Sequence, residues 1–329
     1  MSMKELSMDR IGRKSYNERD LYTIRGKGMT LQQLKYLVTV AECGSISEAA
    51  QKLFISQPSL SAAIQNLEKE MGVTAFSRSS KGVVITREGE ELLAYSRMLL
   101  EQADIMQEHF GKDKNRTPKF SVSCQHYSFA VNAFVDLVKQ YDASQYNFIL
   151  RETQTGEIID DVAQGKSEVG ILYLSAHNEE VLTKLMRKNG LVFEELFVAE
   201  PHVFICREHP LANKKEITLD DLQPYPYLVY EQGERNSFYF AEEFLSMLDF
   251  PKNIQVRDRA TLFNLVIGLN GFTVCSGVID QKLNGENIIA KPLVSDCDMR
   301  IGMIRMKNTM LSRYALYYQE AIKNYLAIV

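Results

Sequence analysis

The sequence predicts two architectures in one chain. An N-terminal all-α winged helix-turn-helix is continued by a long linker helix, and a C-terminal α/β domain of two subdomains follows. Three observations predict this. Two helical periods near residues 46–72 meet across a turn of about three residues. A heptad-like seam runs over Leu92, Ser96, Leu99, Ala103, Met106 and Phe110. Beyond Pro118 the pattern switches to strand, helix, strand, helix, strand.

Each element follows from its residues. Leu31, Leu34, Val38 and Ala41, with Leu37 beside them, give a first helix that Gly44 and Ser45 break. "SISEAAQKLF" forms a second, with Ser47 as N-cap and Ala49, Ala50 and Leu53 inside. "FISQPSLSAAIQNLEKEMG" carries the third. Ser56 caps it, Pro58 fits the first turn where its missing N–H is not needed, and Gly72 ends it. Leu60, Ile64, Leu67 and Met71 mark its inner face, while Ser59, Ala62, Gln65 and Asn66 opposite are short and uncharged. The apolar runs Val73–Phe76 and Val83–Ile85 flank "SRSSKG" as a hairpin wing with Arg78 and Lys81 at its tip. Thr86 opens the linker helix, which runs to about Lys112, and "GKDKNRTP" reads as a hinge.

The expected domains are a disordered extension at 1–28, a winged helix-turn-helix at 29–87, a linker and dimerisation helix with hinge at 88–117, and an α/β domain with a ligand cleft at 118–329. The second subdomain is expected at roughly 193–295. Met29 begins the clean helical pattern, so it is also a candidate start.

Composition narrows the function. The net charge is −4, but residues 1–28 carry seven basic groups against four acidic, and residues 29–87 carry six against four. The front of the chain is the part suited to a polyanion. No apolar run approaches the roughly 18 residues a membrane span needs, and no secretory leader is visible, so the expected location is the cytoplasm. Five cysteines without a CxxC give neither a disulfide framework nor a zinc site, and no metal or cofactor is expected. A P-loop, GxSxG, HExxH and nucleotide fingerprint are all missing, so the chain is not expected to be an enzyme.

Residues 31–93 closely resemble the N-terminal domain of LysR-type transcriptional regulators. The shared landmarks are Ala49-Ala50, Leu53, Ser56-Gln57-Pro58-Ser59-Leu60-Ser61, Ile64, Leu67-Glu68, Gly72, Phe76, Arg78, Thr86 and Gly89. Fainter likeness extends to the last helix, through "RETQTGEIIDDVAQGKSEVGI" and "REHPLANKKEITLDDLQPYPYL". The resemblance implies a winged helix-turn-helix on double-stranded DNA at a partly palindromic promoter site. It also implies an effector domain of two Rossmann-like subdomains, similar to periplasmic binding proteins and switched by a small molecule in the cleft. A homodimer through the linker helix, a homotetramer and, for an activator, RNA polymerase as a partner belong to the same implication.

Mapped onto this chain, the family's DNA contacts fall on Gln57, Pro58, Ser59, Ser61 and Ala62, with Arg78 and Lys81 suited to phosphates. Many relatives carry arginine where this chain has Ala62, so a borrowed base preference does not transfer. The effector candidates are Cys124, Gln125, His126 and Thr155 at two strand-to-helix loops, and Arg259 and Thr261 on a later helix. Helix N-termini at those loops favour an anion, which leads to the expectation of a carboxylate. The dimerisation candidates are Leu92, Leu99, Ala103 and Met106. A solute-binding protein and an oxidant sensor are the competing readings of the α/β lobes and the cysteines.

Overall fold

The computed structural model describes residues 28–79, 82–110, 117–141, 145–235, 237–245, 247–248, 250–278, 285–295 and 298–326. The expected extension up to residue 27, Lys81, the hinge residues 111–116 and Cys297 lie outside the described residues, as does the side chain of Arg78. The chain divides into two compact units between Thr86 and Arg87.

The first unit is built on three helices, α1 (Leu31–Cys43), α2 (Ile46–Lys52) and α3 (Gln57–Met71), and a hairpin of β1 (Phe76–Ser79) and β2 (Gly82–Ile85). Helix α1 starts at a capping box of Thr30 and Gln33 and stops at Gly44, whose left-handed backbone (φ 62°) closes the last turn. Its buried residues are Leu34, Leu37, Thr39 and Val40, while Leu31 is exposed, so the inner face is rotated from the Leu31–Leu34–Val38–Ala41 expectation. The N-cap of α2 is Ser45, not Ser47, because α1 ends at Gly44 and helix resumes at once. Ala49 and Ala50 are buried, and such small side chains let α2 pack closely on α1 and α3. Ser56 caps α3 by accepting from the Ser59 N–H at 3.3 Å, and Gly72 (φ 71°) ends it. Leu60, Ile64 and Leu67 are buried, each burial contributing about 2 kcal/mol.

The wing differs from the sequence reading. Its first strand is Phe76–Ser79, not Val73–Phe76, and Arg78 sits within it opposite Val83. Glu68 causes the shift: its Oε1 accepts from the N–H groups of Ala75 and Phe76 at 2.7 and 3.1 Å, holding that segment against α3. The Val83 N–H donates to the Gly44 carbonyl at 3.0 Å and ties the wing to the α1–α2 turn.

The second unit begins with α4 (Arg87–Phe110) and contains, among the described residues, a five-stranded sheet, a three-stranded sheet and a two-stranded parallel pair. The first joins β3 (Lys119–Cys124), β4 (Asn147–Glu152), β5 (Val169–Leu174), β6 (Leu191–Ala199) and β12 (Met299–Met306) in the order β4-β3-β5-β12-β6. Strands β3, β4 and β5 are parallel, with α5 (Ser128–Gln140) and α6 (Thr155–Ala163) as crossovers, and β12 runs antiparallel between β5 and β6. α7 (Glu179–Lys188) packs on β6.

The second sheet comprises β7 (His202–Cys206), β10 (Thr273–Cys275) and β11 (Ile288–Pro292) in the order β10-β7-β11. Its neighbours are α8 (Leu219–Leu222), the parallel pair β8 (Tyr227–Tyr230) and β9 (Asn253–Val256), and α9 (Arg259–Leu269). The final helix, α10 (Arg313–Leu326), returns onto α5. The second subdomain is therefore an insertion: the chain leaves the first sheet after β6 and re-enters it as β12. A start near residue 193 falls inside β6, which pairs with β12 in the first sheet, so the crossing comes later, between Ala199 and His202.

Candidate DNA interface and effector cleft

On α3 the residues opposite the buried Leu60–Ile64–Leu67 stripe are open to solvent. Gln57, Pro58, Ser59 and Ala62 are exposed, as are Gln65 and Asn66, while Ser61 is half-buried on the flank. The Ser59 and Ser56 hydroxyls lie 2.7 Å apart, so Ser59 shares the cap and keeps only part of its bonding capacity for a partner. Sequence reasoning missed Phe54. It stands in the α2–α3 turn with φ 55°, and its side chain is 96% exposed. That left-handed backbone is one that bulky residues rarely adopt.

The linker helix α4 has two faces. Leu93 and Ser96 are buried, and the Ser96 hydroxyl donates to the Leu92 carbonyl at 2.7 Å. Gln102 exchanges hydrogen bonds with the Met310 backbone, and Glu108 accepts from the Tyr314 hydroxyl and pairs with Arg313. One face of α4 is therefore covered by its own unit. Of the dimerisation candidates, Leu99 and Met106 are exposed, with Tyr95 and Phe110 on the same side, while Leu92 and Ala103 are half-buried.

Between the two subdomains the chain closes on itself. Glu242 and Glu243, from the irregular segment before β9, enter the cleft, and both are buried. Glu242 accepts from the His126 N–H at 2.9 Å and pairs with the His126 imidazole Nδ1 at 2.9 Å. That imidazole lies flat on the Tyr230 ring, with centroids 3.9 Å apart and planes 7° apart. Burial pulls the His126 pKa down, but the Glu242 charge and hydrogen bond, joined by Glu152, outweigh it and leave it raised. Arg259 pairs with Glu152 at 3.0 Å. Burial raises the Glu152 pKa, with Arg259 and His126 pulling the other way. Glu243 Oε1 accepts from the Tyr230 N–H at 2.7 Å, whereas its Oε2 has no hydrogen-bond partner among the described residues. Burial first, and the Glu242 charge second, push the Glu243 carboxyl well above the usual range and favour its neutral form.

The remaining cavity is about 30 Å³, lined among others by His126, Tyr230, Glu242, Glu243, Arg259 and Phe263. Of the effector candidates, His126 and Arg259 therefore line it. Gln125 and Thr155 stand behind it: the Gln125 amide donates to the Thr155 hydroxyl at 2.6 Å and accepts from Tyr127 and from the Tyr173 N–H. Two candidates are corrected. Cys124 is fully buried in the hydrophobic core, because the inward pleat of β3 points it there. Thr261 is exposed, and its N–H is engaged by the Asp258 cap at 2.8 Å.

The anion expectation also changes. The loop N–H at α5 is occupied by the chain's own Glu242, and the Thr155 N–H at the start of α6 donates to Gln232 at 3.2 Å. Cys43, Cys124, Cys206 and Cys275 are free thiols, and burial raises the pKa of Cys124 and Cys275, which keeps them protonated and unreactive. Glu152, Tyr230, Gln232, Glu242 and Glu243 were not found from sequence; the adjacent acids in the apolar run "FAEEFL" were the available signal.

The likeness to known proteins matches this anatomy. Residues 31–90 match the family model described as a bacterial regulatory helix-turn-helix protein of the lysR family, and residues 124–326 match the LysR substrate binding domain. The chain belongs to the LysR family of bacterial transcriptional regulators, with an N-terminal DNA-binding domain and a C-terminal effector-binding domain. The uncharacterized HTH-type transcriptional regulator YnfL of Escherichia coli (strain K12) is 31% identical over 214 residues, covering 64% of this chain and 68% of YnfL. HTH-type transcriptional regulator AlsR of Bacillus subtilis (strain 168) is 27% identical over 246 residues, 73% of this chain and 77% of AlsR. A full-length OxyR variant from Pseudomonas aeruginosa shares the fold with a TM-score of 0.65 at 21% identity, covering 91% of this chain and 96% of the other. CbnR complexed with its target DNA shares it at 0.54 and 18% identity, covering 90% of this chain and 100% of that one. No helix among the described residues is long and apolar enough to cross a membrane.

Proposed function

We propose that this regulator binds a partly palindromic promoter site through α3 and its wing, and that a small molecule in the inter-subdomain cleft switches it. The observation that carries the DNA reading is the exposed, uncharged face at the start of α3. Gln57 suits the N6 and N7 edge of adenine, Ser59 and Ser61 serve bases or phosphates, and Pro58 and Ala62 suit apolar contact with a thymine methyl. Arg78 and Lys81 take phosphates. CbnR, seen on its target DNA, supports the mode of docking.

Two copies pair along the Tyr95–Leu99–Met106–Phe110 side of α4, and pairs assemble into tetramers. The protein works in the cytoplasm and catalyses no reaction; RNA polymerase is its further partner where it activates.

The test is fluorescence anisotropy on promoter fragments over a salt series. Gln57→Ala should cost about 1–3 kcal/mol at the cognate site and little elsewhere. Arg78→Ala should weaken binding at every sequence and reduce the salt slope by about one. If both variants bind as the parent does, this docking is wrong.

A further inference from the structure

The cleft's charges point to the chemistry of what enters it. Among the described residues lining it, each basic side chain is already matched by an acid of the chain. His126 is bound to Glu242, and Arg259 to Glu152. The loop N–H groups of His126 and Thr155 are taken by Glu242 and Gln232. An incoming anion would have to break one of these pairs and then sit beside Glu243. The group left over is itself an acid: Glu243 is 1% exposed, lines the cavity, and its Oε2 is unpartnered. Leaving that oxygen without a partner costs free energy, which the ionised carboxylate would recover from an N–H donor.

The chain already seats one nitrogen group of its own in this cleft. The His126 ring lies on the face of Tyr230 with its nitrogen against the Glu242 carboxylate, the aromatic-and-carboxylate setting that holds an organic cation. The cavity of about 30 Å³ has room for one ammonium head. That space is close to the share of liquid volume taken by one water molecule, roughly 30 Å³. Larger groups enter only if the segment carrying Glu242 and Glu243 gives way.

We infer that the effector is an organic cation, a primary ammonium or amidinium compound, whose N–H groups bind Glu243 Oε2 and the Glu242 carboxylate, and not a carboxylate. This rests on the cleft being the effector site. Glu243 gives its proton to solvent as the cation arrives, so a carboxylate–cation pair replaces a neutral acid and one proton is released per ligand bound.

The test uses the full chain and matched probes: benzamidinium and methylammonium against benzoate and acetate, by titration calorimetry in two buffers of different ionisation enthalpy. A cation probe should bind at least about tenfold more tightly than its anionic counterpart, a difference of about 1.4 kcal/mol. Its heat should differ between buffers by an amount that reports proton release. Glu243→Gln, which keeps size and removes the charge, should weaken the cation about tenfold and abolish the proton release. Anion probes binding more tightly, or none of the four binding, overturns the inference.

Cleft occupancy is judged separately with Phe263→Trp, a fluorescent reporter in the cavity wall of a chain that has no tryptophan. Anion binding that quenches this reporter sinks the cation inference and leaves the cleft reading standing. Cation binding that leaves the reporter silent and is indifferent to Glu243→Gln sinks both.

Discussion

Glu101 of α4 and Glu168, just before β5, form an acidic pair whose effect on stability can be worked out. Glu168 is buried and accepts from the Ser312 N–H at 2.6 Å and the Ser312 hydroxyl at 2.8 Å. Burial pushes its carboxyl up to about 7, even though both Ser312 bonds favour the ionised form. Burial, then the charges of Glu168 and Asp104, push Glu101 up to about 8. Both groups start from 4.5 when unfolded. The folded chain thus holds protons that the unfolded chain has released. The associated stability is complete below pH 4.5 and is lost as pH rises through about 7 and 8.

For Glu101 at pH 8 the linkage gives about 4 kcal/mol as an upper limit, and relaxation of α4 with water entry brings it to about 2 kcal/mol. Glu101→Gln keeps the shape and removes the titration. It should raise the melting temperature of the effector unit by roughly 5 °C at pH 8 and by about 1 °C at pH 5. Circular dichroism melts at pH 5, 6, 7 and 8 test this. A pH-independent difference, or a variant less stable at pH 8, would refute the assignment.

Gly82→Ala places a Cβ 2.5 Å from the Gly44 carbonyl oxygen at a backbone φ of 125°. It should cost about 2–4 kcal/mol in the N-terminal unit and abolish DNA binding in anisotropy, with the effector-unit melt unchanged. Phe54→Asn relieves a bulky residue from φ 55° and removes an exposed ring. It should therefore stabilise that unit by about 1 kcal/mol in a denaturant titration, and a loss of stability would show that the ring is held by contacts.

The N-terminal unit was largely legible in the sequence because its information is local. Ser56, Gly72 and the Leu60–Ile64–Leu67 period define α3 within a few turns, and both caps are short-range hydrogen-bond geometry. The errors there are local too. Ser45 outcompetes Ser47 because α2 resumes directly after the Gly44 stop, and Glu68 moves the wing strand through bonds seven and eight residues away.

The effector unit was legible as alternating strands and helices, but not in its sheet order. β12 reaches β5 and β6 only after the whole second subdomain has been inserted, and no period in the chain records that return. The cleft was the least legible part. A helix N-terminus prefers an anion, and that inference from α5 was sound chemistry. What it lacked was the identity of the anion, which lies 116 residues away in a segment with no regular period. Once Glu242 fills the position, the preference is satisfied from within, and a second anion there would meet an acid already in place. That outcome comes from pairing across subdomains, which turns on which side chains the fold delivers to the same few ångströms.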